Sequence, residues 1–134
     1  MKLSYLLILT AMVVALIVTA TALKTTDEPE FCSSCHVMED QAYSWAKSAH
    51  KAVKCVECHL PHENAFEYYY WKARLGLNDY ISFYFYSVDG VSLKHGEIVK
   101  KNCFRCHSEV LSLVNVSRDC WNCHKVVHTP GVRI

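Results

Sequence analysis

The chain has 134 residues, a formal net charge of +1 and eight cysteines. This length accommodates a single domain, and a peptide of this size builds only a modest hydrophobic core by itself. The near-neutral charge excludes the strongly basic surface of a nucleic-acid-binding protein.

The chain begins with an uncharged apolar segment that runs from Leu3 to Leu23. At 1.5 Å per residue, a helix of this length spans about 31 Å, close to the hydrocarbon thickness of a bilayer. The small residues Ala20-Thr21-Ala22 make a cleaved signal peptide the alternative, but the apolar run is longer than the usual signal core. The sequence therefore predicts a retained membrane anchor over residues 1–26 and a domain over residues 27–134.

The pattern Cys-x-x-Cys-His occurs four times after this segment and uses every cysteine. The paired cysteines are Cys32 and Cys35, Cys55 and Cys58, Cys103 and Cys106, and Cys120 and Cys123; the histidines that follow are His36, His59, His107 and His124. This pentapeptide is typical of c-type haem attachment, in which both thiols bond to the haem and the imidazole reaches its iron. Zinc sites and disulfides are the alternatives, but neither requires a histidine after every second cysteine. We therefore expect four covalently bound haem c groups.

Haem of this type is attached outside the cytoplasm, which predicts a single-pass protein of a bacterial inner membrane with its haem domain on the periplasmic side. Roughly 110 residues remain to enclose four haems, so the haems themselves form most of the core. The predicted fold is mainly α and haem-dominated, with one transmembrane helix, a compact domain of short helices and little or no strand. The expected local elements are an exit turn over Asp27–Phe31, helices over Asp40–Ala52 and Gly96–Cys103, a turn at Asp89-Gly90, a link over Asn115–Asp119 and an irregular tail from Thr129.

The segment 63–87 is rich in tyrosine, tryptophan and phenylalanine. An ordinary core helix is the alternative, but the aromatic residues lie on all sides of a helical wheel, which does not fit a single buried face. Side chains with an apolar body and a polar tip are favoured at a membrane–water interface. The segment is therefore predicted to form helices on the bilayer surface, broken near Gly76.

The histidine count allows two ligand schemes. Four histidines lie outside the haem motifs, namely His50, His62, His95 and His128. They would suffice for four haems that each have two histidine ligands. However, the first motif continues as Cys-x-x-Cys-His-x-Met, and the thioether of Met38 can compete with His36 for the iron.

These residues resemble a known family. Cys-x-x-Cys-His-x-Met, the N-terminal anchor, the four haem motifs and the segment Lys72-Ala73-x-x-Gly76-x-x-Asp79 are similar to the small subunits of cytochrome c nitrite reductases, which are tetrahaem quinol dehydrogenases of the NapC/NirT type. The resemblance covers essentially the whole chain. It implies electron transfer from menaquinol or ubiquinol to a periplasmic multihaem reductase, while the terminal reductase activity belongs to that partner.

The resemblance also implies a ligand set. Haem 1 takes Met38 rather than His36 and is five-coordinate, with Asp79 covering its open side. The other ligands are His59 and His128 for haem 2, His107 and His50 for haem 3, and His124 together with a ligand from the partner for haem 4. In the family the last histidine usually lies five residues after that of the fourth motif, whereas His128 follows His124 by four. His62 and His95 therefore remain substitutes.

Quinol chemistry is consistent with these residues. A quinol releases two electrons and two protons, so its oxidation site needs a proton acceptor near the membrane. Asp79, about two helical turns from Lys72, can take the proton and orient the hydroxyl group, although an exposed charge pair is the plain alternative. The competing functions are a soluble tetrahaem shuttle, an electron-transfer subunit for a hydroxylamine-oxidoreductase-like or nitrate reductase, and a reductase acting at its own open haem.

Overall fold

The computed structural model describes residues 2–85, 95–114 and 117–124. Helix α1 runs from Lys2 to Thr25, and its large apolar side chains are exposed on all sides. Residues Leu3–Thr25 form one helix long and apolar enough to cross a membrane, with a mean hydropathy of 2.6. An apolar surface that continues around the whole helix fits lipid rather than water, so the predicted anchor helix is present.

Three short helical elements follow the anchor. Helix α2 spans Pro29–Ser33, a 3-10 helix spans His36–Met38, and α3 spans Glu39–Lys47. The predicted exit turn is shorter than expected, because Pro29 occupies the first turn of α2, where its fixed φ favours helix initiation. The helix predicted over Asp40–Ala52 is also too long, because Ser48 adopts an extended conformation and its hydroxyl donates to the Trp45 carbonyl at 2.8 Å.

Helix α4 spans Cys55–His59, and α5 spans Ala65–Phe85. The Oδ1 atom of Asn64 accepts a hydrogen bond from the Glu67 amide at 2.8 Å and so caps the start of α5. The predicted break near Gly76 is wrong, because the 21-residue helix α5 runs from Ala65 to Phe85 without interruption at this glycine. A glycine inside a helix costs only about 1 kcal/mol relative to alanine, which is too little to break a helix flanked by good helix formers.

Helix α6 spans Gly96–Leu111 and is kinked at His107, which has φ −114° and ψ 17°. The helix predicted over Gly96–Cys103 therefore continues for two further turns. A second 3-10 helix spans Cys120–Asn122. The predicted turn at Asp89-Gly90, the tail from Thr129, His128 and the first two residues of the link over Asn115–Asp119 lie outside the described residues.

The peptide core is very small. In the described part of the chain, the buried hydrophobic side chains are Val56 and Leu60 with Pro61, the buried polar ones are Ser48 and Asn102, and none is less than 2% exposed. The main helix contact in the domain joins α4 to α6. The described ranges contain helices and turns without a strand, so the prediction of a mainly helical fold is confirmed. A core this thin needs another group to complete it.

Candidate functional site: four cysteine-histidine motifs and a membrane-boundary cluster

The cysteine pairs of successive motifs lie beside one another. The thiol of Cys32 lies near that of Cys55, and the thiol of Cys103 lies near that of Cys120, so that the neighbouring thiols perturb each other's pKa. The Cys32 thiol lowers the pKa of Cys55 to about 7, whereas burial raises the pKa of Cys103 to about 11. These contacts join motif 1 to motif 2 and motif 3 to motif 4.

Motifs 2 and 3 are joined by a polar contact between α4 and α6. The buried side-chain amide of Asn102 donates to the carbonyls of Cys58 and Leu60, at 2.9 Å and 2.7 Å. Arg105 donates to the carbonyl and the carboxylate of Glu57, at 3.0 Å and 2.9 Å. The four motifs therefore form one continuous series in space, in the same order as in the sequence.

His50 and His107 lie close together, although 57 positions separate them in the sequence. Their ring centroids are 6.0 Å apart. Two imidazoles on opposite sides of one metal ion, each bonded at about 2.0 Å, have centroids about 6 Å apart, so the spacing fits an iron between them. The buried hydroxyl of Ser48 accepts a hydrogen bond from the His50 amide at 3.1 Å and so orders the turn that carries His50.

His36 and Met38 point in different directions from their 3-10 helix, because residues two apart in such a helix are about 120° apart around its axis. The His36 side chain is 81% exposed, and its Nδ1 lies 3.1 Å from the Glu39 carboxylate. Met38 is partly buried. The His36 side chain is thus exposed to solvent, whereas Met38 is less exposed.

Lys72 and Asp79 are not paired with each other. The Lys72 amine donates to the Asp27 carboxylate at 2.6 Å and to the Leu23 carbonyl at 2.5 Å. Tyr68 donates to the same Asp27 oxygen at 2.7 Å. Asp79 lies on the exposed surface of α5, where the Asn78 side chain donates to it at 3.3 Å.

We call Asp27, Tyr68 and Lys72 the membrane-boundary cluster, because they join the end of α1 to α5. Burial and the hydrogen bond to Asp27 raise the pKa of Tyr68 well above its usual range, so its hydroxyl stays protonated as a donor. Neither Asp27 nor Tyr68 was predicted from the sequence to be a site residue. The only indication in the sequence was the i, i+4 spacing of Tyr68 and Lys72, which places both side chains on the same face of a helix.

The other four histidines of the described residues, namely His59, His62, His95 and His124, differ in their contacts and exposure. His62 Nε2 lies 3.3 Å from the Val56 carbonyl and 3.7 Å from the Glu57 carboxylate, and His62 also contacts Tyr68. His95 precedes α6 and packs edge-on against Trp71, with centroids 5.1 Å apart. His59 is partly exposed at the end of α4, and His124 is exposed after the last 3-10 helix.

The donor set fits haem c. All eight cysteines are free and none is fully buried, and the described residues of the domain include few buried apolar side chains. The imidazoles of His50 and His107 have the spacing that an iron between them requires. Covalent attachment of macrocycles would fill the missing core and cross-link the short helices.

Residues 1–131 match the NapC/NirT cytochrome c family, N-terminal region. This chain belongs to that family. It is 35% identical over 127 residues to cytochrome c-type protein NrfH of Wolinella succinogenes, covering 81% of this chain and 72% of that protein. It is 34% identical over 122 residues to cytochrome c nitrite reductase subunit NrfH of Nitratidesulfovibrio vulgaris, covering 86% and 76% respectively.

A solved structure is also similar. A chain of the cytochrome c nitrite reductase NrfHA complex bound to the HQNO inhibitor matches with a TM-score of 0.73 and 31% identity. The match covers 87% of this chain and 83% of that chain. The resemblance inferred from the motifs is therefore confirmed, and this NapC/NirT protein is a membrane-anchored c-type cytochrome with covalently bound haem c.

Proposed function

We propose that this chain is a tetrahaem quinol dehydrogenase that delivers electrons to a cytochrome c nitrite reductase. The observation that carries the proposal is the junction at the membrane boundary. Helix α1 ends at Thr25, the first haem motif begins at Cys32, and Lys72 of α5 bonds to the end of that same helix. An electron acceptor therefore lies beside the place where a membrane quinol would emerge.

Quinol oxidation to quinone releases two electrons and two protons, whereas a bound haem accepts one electron at a time. On the protein side, Lys72 orients one quinol oxygen by hydrogen bonding. Asp79 takes the two protons one after the other and, because it is exposed, passes each of them to water. The two residues lie about 10 Å apart along α5, which fits contacts at different parts of a bound quinol better than a direct pair.

The proposed ligands are those that the family resemblance implies. Haem 1 is assigned to Met38, which is partly buried, rather than to His36, whose Nδ1 lies 3.1 Å from the Glu39 carboxylate. Methionine ligation tends to raise a haem potential, which suits the first electron acceptor. Haem 3 is held by His107 and His50, supported by their spacing of 6.0 Å. Haem 2 is assigned to His59 and His128, although His128 lies outside the described residues.

Haem 4 is the proposed exit for electrons. His124 is its own ligand, and the second ligand comes from the partner reductase. The motif lies at the far end of the series that begins beside the membrane anchor, and its histidine is exposed. His95, a substitute from within the chain, is instead packed against Trp71.

The proposed orientation places the haem domain in the periplasm of a bacterium, with α5 on the membrane surface. Exposed aromatic side chains along α5 support this placement; they include Phe66, Tyr69, Tyr70, Tyr80, Tyr84 and Phe85. A soluble shuttle, cleaved after Ala22, is not favoured, because it would have no use for the exposed aromatic side chains of α5. Transfer to a hydroxylamine-oxidoreductase-like or nitrate reductase is likewise not favoured, because the similar Nitratidesulfovibrio vulgaris protein and the similar solved complex are both described as cytochrome c nitrite reductase.

The test of this function uses the complete haem-loaded chain in liposomes. A short-chain naphthoquinol should reduce its haems, and Asp79→Asn should slow that reduction on the order of tenfold or more, because the proton acceptor is lost. Reduction by dithionite should be unchanged. Glu67→Gln, which alters another carboxylate of α5, is the matched control. Equal rates of quinol-driven haem reduction in the two variants would show that Asp79 takes no part in quinol oxidation.

A further inference from the structure

Asp27 connects the membrane helix to the proposed quinol site. Its Oδ1 atom lies 2.6 Å from the Lys72 amine and 2.7 Å from the Tyr68 hydroxyl. Tyr68 and Lys72 are one helical turn apart, so they project from the same face of α5. The Lys72 amine also reaches the Leu23 carbonyl, within the last turn of α1. One carboxylate therefore fixes two donors that come from another helix.

The ion pair between Lys72 and Asp27 is less exposed to solvent than the ion pair between Lys101 and Glu63. The side chains of Lys72 and Asp27 are 14% and 24% exposed, whereas those of Lys101 and Glu63 are 71% and 46% exposed. An exposed pair contributes little to structure or binding. In an enclosed pair, removal of one partner leaves the other charge uncompensated, so its position changes.

The end of α1 provides a second reason for the position of Lys72. The last carbonyls of a helix have no partner within it and carry a partial negative charge. The Leu23 carbonyl accepts hydrogen bonds from Lys72 and from the Thr26 hydroxyl. The lysine amine is thus held at the point where the membrane helix ends, which is where the headgroup of a quinol would reach the protein.

We propose that Asp27 is a positioning residue of the quinol site, which acts by holding the Lys72 amine in place to bind a quinol oxygen. This inference rests on the proposed quinol function and deepens it. Asp27 does not itself receive the proton in this account, because its Oδ1 oxygen already accepts hydrogen bonds from Lys72 and Tyr68. Its substitution should therefore weaken quinol binding more than the chemical step.

The test measures quinol-driven haem reduction by the complete haem-loaded chain in liposomes, over a range of naphthoquinol concentrations. Asp27→Asn should raise KM on the order of tenfold, the effect of losing a charge-assisted hydrogen bond, while kcat stays within about twofold. Asp27→Glu, which keeps the charge, should recover part of the loss. Glu28→Gln is the matched control, because Glu28 pairs with Lys54 at 2.7 Å on the exposed surface and should leave KM unchanged.

Three results would overturn the inference. The first is a KM in Asp27→Asn equal to that in Glu28→Gln. The second is a loss of kcat and haem content in Asp27→Asn without a change in KM, which would make the contact merely structural. The third concerns Tyr68→Phe, the variant to use if Asp27→Asn fails to incorporate haem. It removes one donor to Asp27 and should raise KM a few-fold, so an unchanged KM would contradict the inference.

The wild-type chain distinguishes this inference from the function on which it rests. Haems that dithionite reduces and naphthoquinol does not would refute the quinol function and the role of Asp27 together. A wild-type chain that naphthoquinol reduces, with Asp27→Asn behaving identically, would refute the role of Asp27 alone.

Discussion

The substitution Asn102→Ala should weaken the contact between the second and third haem motifs. Asn102 is 6% exposed, and its amide donates to the carbonyls of Cys58 and Leu60 at 2.9 Å and 2.7 Å. Each hydrogen bond contributes about 1 kcal/mol net, and a buried carbonyl left without a partner costs a further 1–3 kcal/mol. Because water can reach part of the opened site, we expect a total loss of about 2–4 kcal/mol.

The assay is guanidinium unfolding of the haem-loaded chain in detergent, followed through the haem absorption that reports axial ligation. With slopes of about 2–6 kcal/mol per M in guanidinium, the expected loss lowers the unfolding midpoint by about 1 M. Asn122→Ala is the control, because Asn122 is an exposed residue inside the fourth motif. A midpoint in Asn102→Ala that equals the control would show that the two carbonyls do not depend on Asn102.

Three further predictions concern the ligands and pH. Met38→Ala should alter the spectrum and potential of haem 1 whereas His36→Ala should not; the opposite pattern would assign the iron to His36. His50→Ala should create one additional high-spin iron at the haem of His107, seen by electron paramagnetic resonance, and an unchanged spectrum would dismiss the pair. The raised pKa of Tyr68 in the fold stabilises the protein below about pH 10, and this contribution is lost as the pH rises further. Tyr68→Phe should therefore lose less stability above pH 10 than wild type in unfolding measurements; parallel losses would contradict this.

The sequence predicted the features that repeat or extend along the chain. The apolar run from Leu3 to Leu23 is recognised from its residue type alone, and the four haem motifs are recognised from the spacing of cysteine and histidine. Both are therefore local patterns. The mainly helical fold followed from them, since few residues remain for any other scaffold. Helix ends were predicted less well: the hydroxyl of Ser48 ends α3 before His50, and Gly76 does not interrupt α5.

Contacts between distant segments could not be read from the sequence. Asp27 looked like an acidic residue in an exit turn, and only the fold places it beside Lys72, which is 45 positions away. Asn102 likewise precedes the third motif as an ordinary polar residue, although the fold places it against the second. A pattern along one helix predicts its neighbours at three and four positions, but not which partner another helix presents.

Quinol-driven nitrite consumption in liposomes that contain the complete chain and a cytochrome c nitrite reductase tests the proposed electron transfer as a whole. We expect naphthoquinol to support nitrite reduction only when both proteins are present, and intact-mass analysis of the chain to find four haems. Haems that naphthoquinol leaves oxidised, or reduced haems that the nitrite reductase does not reoxidise in the presence of nitrite, would contradict the proposed electron transfer.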